Sequence, residues 1–133
     1  MRTLLALTAV SEGVTGLAVA IAPLLVVRLL LGAEPSGAGL AMSRVAGIAL
    51  LGLGLACWPA RDASAGQTSA LRAMSTYNVL ATLYLFALGV RGDWVGPLLW
   101  PAAVAHAVLS AWCLVVLLRP SARVRAATTG AIP

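Results

Sequence analysis

Charged residues are scarce in this chain: they make up 10% of its 133 residues, against 61% hydrophobic residues. A soluble domain carries about 25% charged residues, because its surface must be covered with groups that water solvates. This shortage excludes a soluble globular domain as the main body of the protein. We therefore expect the lipid bilayer to surround most of the chain.

Lysine is absent, and the net charge of +5 comes from arginines set against four acidic residues. A nucleic-acid-binding protein needs its basic residues on one soluble face. Here the arginines fall mainly in short connections and in the C-terminal tail. We expect them to anchor and orient membrane spans, and we expect no nucleic acid among the partners.

The chain has one histidine and two cysteines, His106, Cys57 and Cys113. They do not stand at metal-ligand spacing, and a transition-metal site normally needs three or four convergent ligands. We therefore expect no metal cofactor, and a single histidine excludes bis-histidine haem within one chain. The sequence also lacks a glycine-rich phosphate loop and a nucleophile elbow. It offers no catalytic residue and favours a protein that is not an enzyme.

Four apolar stretches are long enough to cross a bilayer, which takes about 20 mostly apolar residues in a helix. Their approximate bounds are 3–25, 38–58, 70–90 and 97–118. We predict an all-α fold: one four-helix transmembrane bundle at 1–118, followed by a basic cytoplasmic tail at 119–133. Pro23 should end or kink the first helix, so that 24–32 forms a short interfacial helix. The alternative is that span one continues and tilts.

The arginines outside the spans are distributed unevenly between the two sides of the predicted bundle. The side shared by the N-terminus, the second connection and the tail holds Arg2, Arg61, Arg72, Arg119, Arg123 and Arg125. The opposite side holds Arg28 and Arg91. An excess of arginine marks the cytoplasmic side. We therefore predict a multi-pass protein with both termini in the cytoplasm.

Each span carries one strongly polar residue well inside it: Glu12, Arg44, Asn78 and His106. Such groups are costly in hydrocarbon unless they are paired or face a cavity. With a rise of about 1.5 Å per residue, all four lie in the middle half of a bilayer core about 30 Å thick. We predict that they form one buried polar cluster, centred on a Glu12–Arg44 ion pair.

Small and polar residues lie three or four positions from these four residues, and that spacing places them on the same helix faces. The expected supporting residues of the cluster are Ser75, Tyr77, Thr82 and Ser110. Small residues allow helices to approach closely in membranes, and the expected packing residues are Gly16, Gly39, Ser43 and Gly47. The cluster has two interpretations. It either ties the helices together or forms the polar end of a pocket for a lipid-soluble ligand or for protons.

Short motifs spread over most of the chain point to a known group of proteins. They are Glu12-Gly13 to Gly16-Leu17 with Pro23, Leu29-Leu30-Leu31-Gly32, Arg44-Val45-Ala46-Gly47 through Gly52, and Leu99-Trp100-Pro101 with His106. In these the chain resembles the small four-helix bacterial membrane proteins of the broad DoxX-like group. The resemblance implies a bacterial inner-membrane bundle. It also implies proximity to quinones, since some members are small subunits of quinone-linked oxidoreductases. It transfers no catalytic residue.

We expect an accessory or scaffolding subunit of a membrane assembly, which packs against other membrane proteins or against copies of itself. The chain has little mass outside the predicted spans, and so little room for a soluble catalytic site. The alternative is a binding protein or carrier for a small amphipathic ligand such as a quinone or lipid, held by the polar cluster. A subunit of a quinone-linked enzyme would need redox partners from another chain.

A cysteine at Gly92, between predicted spans three and four, tests the orientation in a variant whose native cysteines are alanine. A membrane-impermeant maleimide should label it in intact cells, because that connection lies outside when both termini are cytoplasmic. A cysteine at Thr68, in the second connection, is the matched control and should react only after lysis. Labelling of the Gly92 position only after lysis would refute the orientation.

Overall fold

The structure of the chain is a computed structural model, and it describes residues 2–60 and 64–118. The described residues form five α-helices: α1 Arg2–Ile21, α2 Pro23–Leu31, α3 Ala38–Ala60, α4 Ser64–Arg91 and α5 Leu99–Leu118. All of them except α2 contain a segment long and apolar enough to cross a membrane. The predicted all-α fold with four spans is confirmed, and it indicates a multi-pass membrane protein. The predicted tail and Arg61 lie outside the described residues.

The first span ends at a proline. α1 stops at Ile21 and α2 begins at Pro23, with Ala22 between them at φ −125° and ψ 56°. Proline has no backbone N–H to donate and suits the first position of a helix. The structure therefore shows a separate short helix rather than one continuous tilted span. α2 ends at Leu31 and is capped by Gly32, whose φ of +70° is left-handed and whose N–H donates to the carbonyl of Arg28.

The end of α2 is bonded to the connection that precedes α5. The N–H of Gly96 donates to the carbonyl of Leu30 at 3.0 Å, and that of Leu98 to the carbonyl of Leu29 at 2.9 Å. The last carbonyls of a helix lack partners within the helix, and unsatisfied backbone groups cost several kcal/mol in lipid. A Cβ on Gly96 would collide with the carbonyl of Leu29, so glycine permits this contact.

The long helices form two closely packed pairs, α1 with α3 and α4 with α5, and contact between the pairs is less extensive. In the first pair the backbones touch. A Cβ on Gly16 would lie 2.7 Å from the carbonyl oxygen of Gly47, and the reverse distance is also 2.7 Å. A Cβ on Gly54 would lie 2.7 Å from the carbonyl oxygen of Ala9. Such backbone contact at small residues is typical of helix pairs in membranes.

The predicted row of packing residues on α3 is used over only part of its length. Gly16 and Gly47 lie at the contact between α1 and α3, but Gly39 is exposed, and a Cβ there would meet only Pro35, at 3.6 Å. Ser43 donates its hydroxyl to the carbonyl of Gly39 at 2.9 Å, within its own helix. The reason is that α1 ends at Ile21, so it does not extend opposite Gly39.

Two clusters of buried hydrophobic residues lie toward opposite ends of the bundle. One comprises Leu4, Leu5, Ala9, Cys57, Ala70, Leu71, Met74 and Cys113. The other comprises Leu85, Leu99 and Ala103. On α4 and α5, the positions between the clusters include Asn78 and His106, and on α1 Glu12 lies one turn beyond the first cluster. The polar residues therefore form a layer between two hydrophobic regions.

Replacement of Gly47 by alanine should destabilise the α1–α3 pair. The new Cβ would lie within 3 Å of backbone atoms, and overpacking of this kind costs about 1–3 kcal/mol. Thermal unfolding in detergent, followed by circular dichroism, should show a lower midpoint. Gly52→Ala is the matched control on the same helix, because nothing lies within 4 Å of its Cβ position. Its midpoint should stay or rise, since alanine favours helix more than glycine does. Equal midpoints for the two variants would contradict the packing.

Candidate functional site

Four polar side chains from α1, α4 and α5 form a continuous series of contacts, which we call the polar chain: Glu12, Tyr77, His106 and Asn78. The Tyr77 hydroxyl and the Glu12 carboxyl group interact with each other. The rings of Tyr77 and His106 meet edge to face, with centroids 5.7 Å apart and an interplanar angle of 79°. Nδ1 of His106 lies 2.8 Å from Oδ1 of Asn78. The polar chain therefore joins three of the four spans.

The hydrogen bonds of Asn78 determine which nitrogen of His106 carries a proton. Nδ2 of Asn78 donates to the carbonyl of Met74 at 2.9 Å, so Oδ1 is the atom that faces His106. An amide oxygen only accepts hydrogen bonds, and Nδ1 of His106 must therefore donate. In a neutral ring the lone pair then lies on Nε2, and no described residue donates a hydrogen bond to it.

Glu12 is 1% exposed and is not fully satisfied by the polar chain. Its Oε1 has no hydrogen-bond partner among the described residues, and neither does Oγ of Ser110, one turn beyond His106 on α5. Nearly all buried polar groups in proteins have a partner, and an unsatisfied one costs about 1–3 kcal/mol. The site therefore has unused hydrogen-bonding capacity at Glu12 and at Ser110.

Arg44 is not part of the polar chain, and the predicted ion pair with Glu12 is absent from residues 2–60 and 64–118. The Arg44 side chain is exposed. It shares a face of α3 with Ile48 and Leu55, which are each 63% exposed. Gly47 lies against Gly16 and Ala20 while Gly54 lies against Ala9 and Gly13, so Arg44 lies toward the last residues of α1 rather than beside Glu12. Counting residues gives the depth of a side chain in a helix. It does not give the direction in which that side chain points around the axis.

The predicted supporting residues have unequal roles. Tyr77 is central, because it contacts both Glu12 and His106. Ser75 is buried on α4. Thr82 donates to the carbonyl of Asn78 at 2.7 Å, within its own helix. Sequence reasoning missed Thr8, which is fully buried one turn before Glu12 and donates to the carbonyl of Leu4 at 3.0 Å. Its spacing from Glu12 was the available signal.

An apolar groove opens between α3 and α4 beside the polar chain. It has a volume of about 340 Å³ and is lined by Ala46, Ala49, Leu50, Leu53 and Tyr77. The groove exists because α3 and α4 contact each other only sparsely. In addition, two of the α3 residues that line it are alanines, whose side chains are small. The Tyr77 ring lies in the groove while its hydroxyl faces Glu12. Tyr77 thus connects an open apolar surface with the buried carboxyl group.

Metal ligands do not converge at this site. In the part of the chain that the structure describes, no group of three His, Cys, Asp or Glu side chains is arranged to hold a metal ion. Cys57 and Cys113 are buried free thiols, and both belong to the hydrophobic cluster that contains Leu4 and Leu5. The chemistry available at the polar chain is therefore hydrogen bonding, and proton exchange at the carboxyl and imidazole groups.

The tautomer of His106 can be measured directly, because it is the only histidine in the chain. In protein labelled with ¹⁵N-histidine, NMR at mildly alkaline pH should show a protonated Nδ1 and an unprotonated Nε2. Asn78→Leu should abolish this preference, since it removes the acceptor at 2.8 Å. Thr82→Val should preserve it, because the Thr82 hydroxyl bonds only within α4. Protonation mainly at Nε2 in the unaltered protein would refute the arrangement.

Comparison with known proteins gives no relative whose site residues could be compared with those of this chain. No protein-family model, curated protein or solved structure matches the chain. The site is therefore defined by its own geometry: a buried carboxyl group with one free oxygen, a tyrosine that bridges it to a histidine, and an apolar groove beside the tyrosine ring.

Proposed function

We propose that this protein binds a small amphipathic molecule within the bilayer. The polar chain would hold the polar end of the molecule, and the groove between α3 and α4 would hold its apolar part. The observation that carries the proposal is the unpartnered Oε1 of Glu12, in a carboxyl group that interacts with a tyrosine lining that groove. Ligand pockets commonly combine an apolar lining with a few placed polar groups.

The geometry favours a ligand that carries a hydroxyl group. Oε1 of Glu12 and Nε2 of His106 are both free to accept a hydrogen bond, and a hydroxyl group can donate one. A groove of about 340 Å³ is at the small end of the range for ligand pockets, about 300–1,000 Å³. It would therefore hold a ring or a short chain, with any longer tail in the lipid. A quinol or a lipid alcohol has this chemistry.

We place the protein in the inner membrane of a bacterium, with both termini in the cytoplasm. The support for the orientation is the arginine distribution of the sequence. The support for the bacterial membrane is the set of short motifs that resemble the DoxX-like group. Membership in that group is part of the same proposal.

Mass spectrometry of an organic extract of the purified protein tests ligand binding. We expect the unaltered chain to retain a hydroxyl-bearing amphipathic molecule that Glu12→Leu loses, because leucine removes the acceptor and keeps a similar volume. Tyr77→Phe should also lower retention, since it removes the hydroxyl but keeps the ring. Thr8→Val is the matched control and should retain the molecule, because its hydroxyl bonds within α1. Size-exclusion profiles check that each variant is folded. Absence of any retained molecule from the unaltered protein would refute the proposal.

A second function is favoured by Arg44. We infer that the protein also acts as an accessory or scaffolding subunit, with the face of α3 that carries Arg44, Ile48 and Leu55 against a partner helix. Arg44 is the seventh of the 23 residues of α3. An arginine inside a span is costly unless it is paired or reaches the interface, and an acidic residue of a partner would pair with it. A symmetric homodimer centred on this face would bring two Arg44 side chains together, so a different membrane protein fits better.

Native electrophoresis of membranes solubilised without detergent, in polymer nanodiscs, tests the subunit function. The unaltered protein should migrate together with a partner membrane protein, in a particle larger than a nanodisc that holds a single 13.5 kDa chain. Arg44→Leu should release the monomer. Arg72→Leu removes an exposed arginine near the start of α4 and should leave the particle intact. If the unaltered protein migrates as a monomer, the subunit function is wrong while ligand binding remains open to its own test.

A further inference from the structure

A second cavity lies between α2 and α4. It is at the end of the bundle where α4 ends, opposite to the end where α1 begins. Its volume is about 480 Å³. It exists because the Cα atoms of α2 and α4 stay more than 8 Å apart, although the end of α2 is bonded to the connection before α5. The cavity is separate from the groove at Tyr77 and shares no lining residue with it.

The wall of this cavity is apolar and reaches the surface of the bundle. Val27 and Leu31, one turn apart, line it from α2, and Leu88 lines it from α4. Tyr84, one turn before Leu88, continues the wall and is 66% exposed. In a membrane, this exposed side would meet lipid chains, so an apolar chain could enter the cavity from the side.

The rim of the cavity carries charges of both signs. Arg91 and Asp93 both line it, yet neither has an ion-pair or hydrogen-bond partner among the described residues. Glu34 also lines it, but its Oε1 lies 3.5 Å from Nη1 of Arg28 and is thereby partly neutralised. The rim therefore presents one unpaired cation and one unpaired anion above an apolar wall.

We propose that this cavity binds an amphiphile with a zwitterionic headgroup, in which a phosphate and an ammonium group are linked to apolar chains. Arg91 would bind the phosphate, since guanidinium groups match phosphate oxygens in geometry and charge. Asp93 would bind the ammonium group. A headgroup that is only anionic would leave Asp93 without a partner and would repel it. A headgroup that is only cationic would leave Arg91 without a partner and would repel it.

Two further features commit the proposal to a lipid of the bilayer rather than to a soluble zwitterion. A free headgroup has no apolar part to contact the wall of Val27, Leu31 and Leu88. Trp94 also lines the cavity and is half exposed, and tryptophan is enriched at the level of lipid headgroups. This site is independent of Glu12, and it stands or falls separately from ligand binding at the polar chain.

Native mass spectrometry of the full chain in detergent tests the site by titration with two lipids of equal chain length. Phosphatidylethanolamine should bind about fivefold more tightly than phosphatidylglycerol, as expected for one added exposed ion pair. Arg91→Gln should weaken phosphatidylethanolamine binding by about the same factor. Asp93→Asn should abolish the preference between the lipids. Arg72→Gln, an exposed arginine toward the other end of α4, is the matched control and should change neither affinity.

Two results would overturn the proposal. If both lipids bind equally and neither Arg91→Gln nor Asp93→Asn alters binding, the cavity holds only nonspecific boundary lipid. If free phosphoethanolamine displaces the lipid at equal concentration, the apolar wall contributes nothing and the ligand is a soluble zwitterion. The substituted side chains are exposed, so unchanged size-exclusion profiles should accompany all three variants.

Discussion

The backbone contact between α1 and α3 is the constraint on which the rest of the bundle depends. Gly16, Gly47 and Gly54 leave no room for a side chain at this contact, so one side of α1 is committed to α3. The adjacent face, with Leu5, Thr8 and Glu12, is also buried. α1 is therefore the most buried of the four long helices. Because it packs closely on α3, its carboxyl group is left to interact with α4 rather than with Arg44.

Hydrogen bonds within the polar chain stabilise the bundle only modestly. Hydrogen bonds between membrane helices contribute about 0.6 kcal/mol each on average, whereas a single unsatisfied buried atom costs about 1–3 kcal/mol. The glycine contact and the two hydrophobic clusters adjoin a polar layer in which Oε1 of Glu12 and Oγ of Ser110 have no hydrogen-bond partner among the described residues. A layer of that kind is easier to explain by what it binds than by what it stabilises. This balance is why the free oxygen of Glu12 supports ligand binding more than it supports a purely structural role.

The sequence was sufficient for features that depend on one helix at a time. The length of the apolar stretches predicted the four spans, and Pro23 offered two alternatives, of which the structure shows the break. α4 begins at Ser64, earlier than the predicted span, because Gln67 and Thr68 are compatible with a helix although they are not apolar. Features that depend on rotation about a helix axis were beyond reach. Apolar residues surround each span, so nothing in α3 alone indicated that Arg44 is exposed and lies toward the end of α1 rather than beside Glu12. Neither cavity follows from any single segment.

The hydrogen bonds from Gly96 and Leu98 to the end of α2 imply an order of assembly during synthesis. The ribosome makes the chain from its N-terminus, and the glycine contact between α1 and α3 needs only the first half of the chain. The bonds at Leu29 and Leu30 form only after the connection before α5 has been made. Until α4 is inserted, Glu12 lies on a paired α1 and α3 without Tyr77 beside it. Glu12 therefore gains the side chains of the polar chain only when α4 and α5 are present.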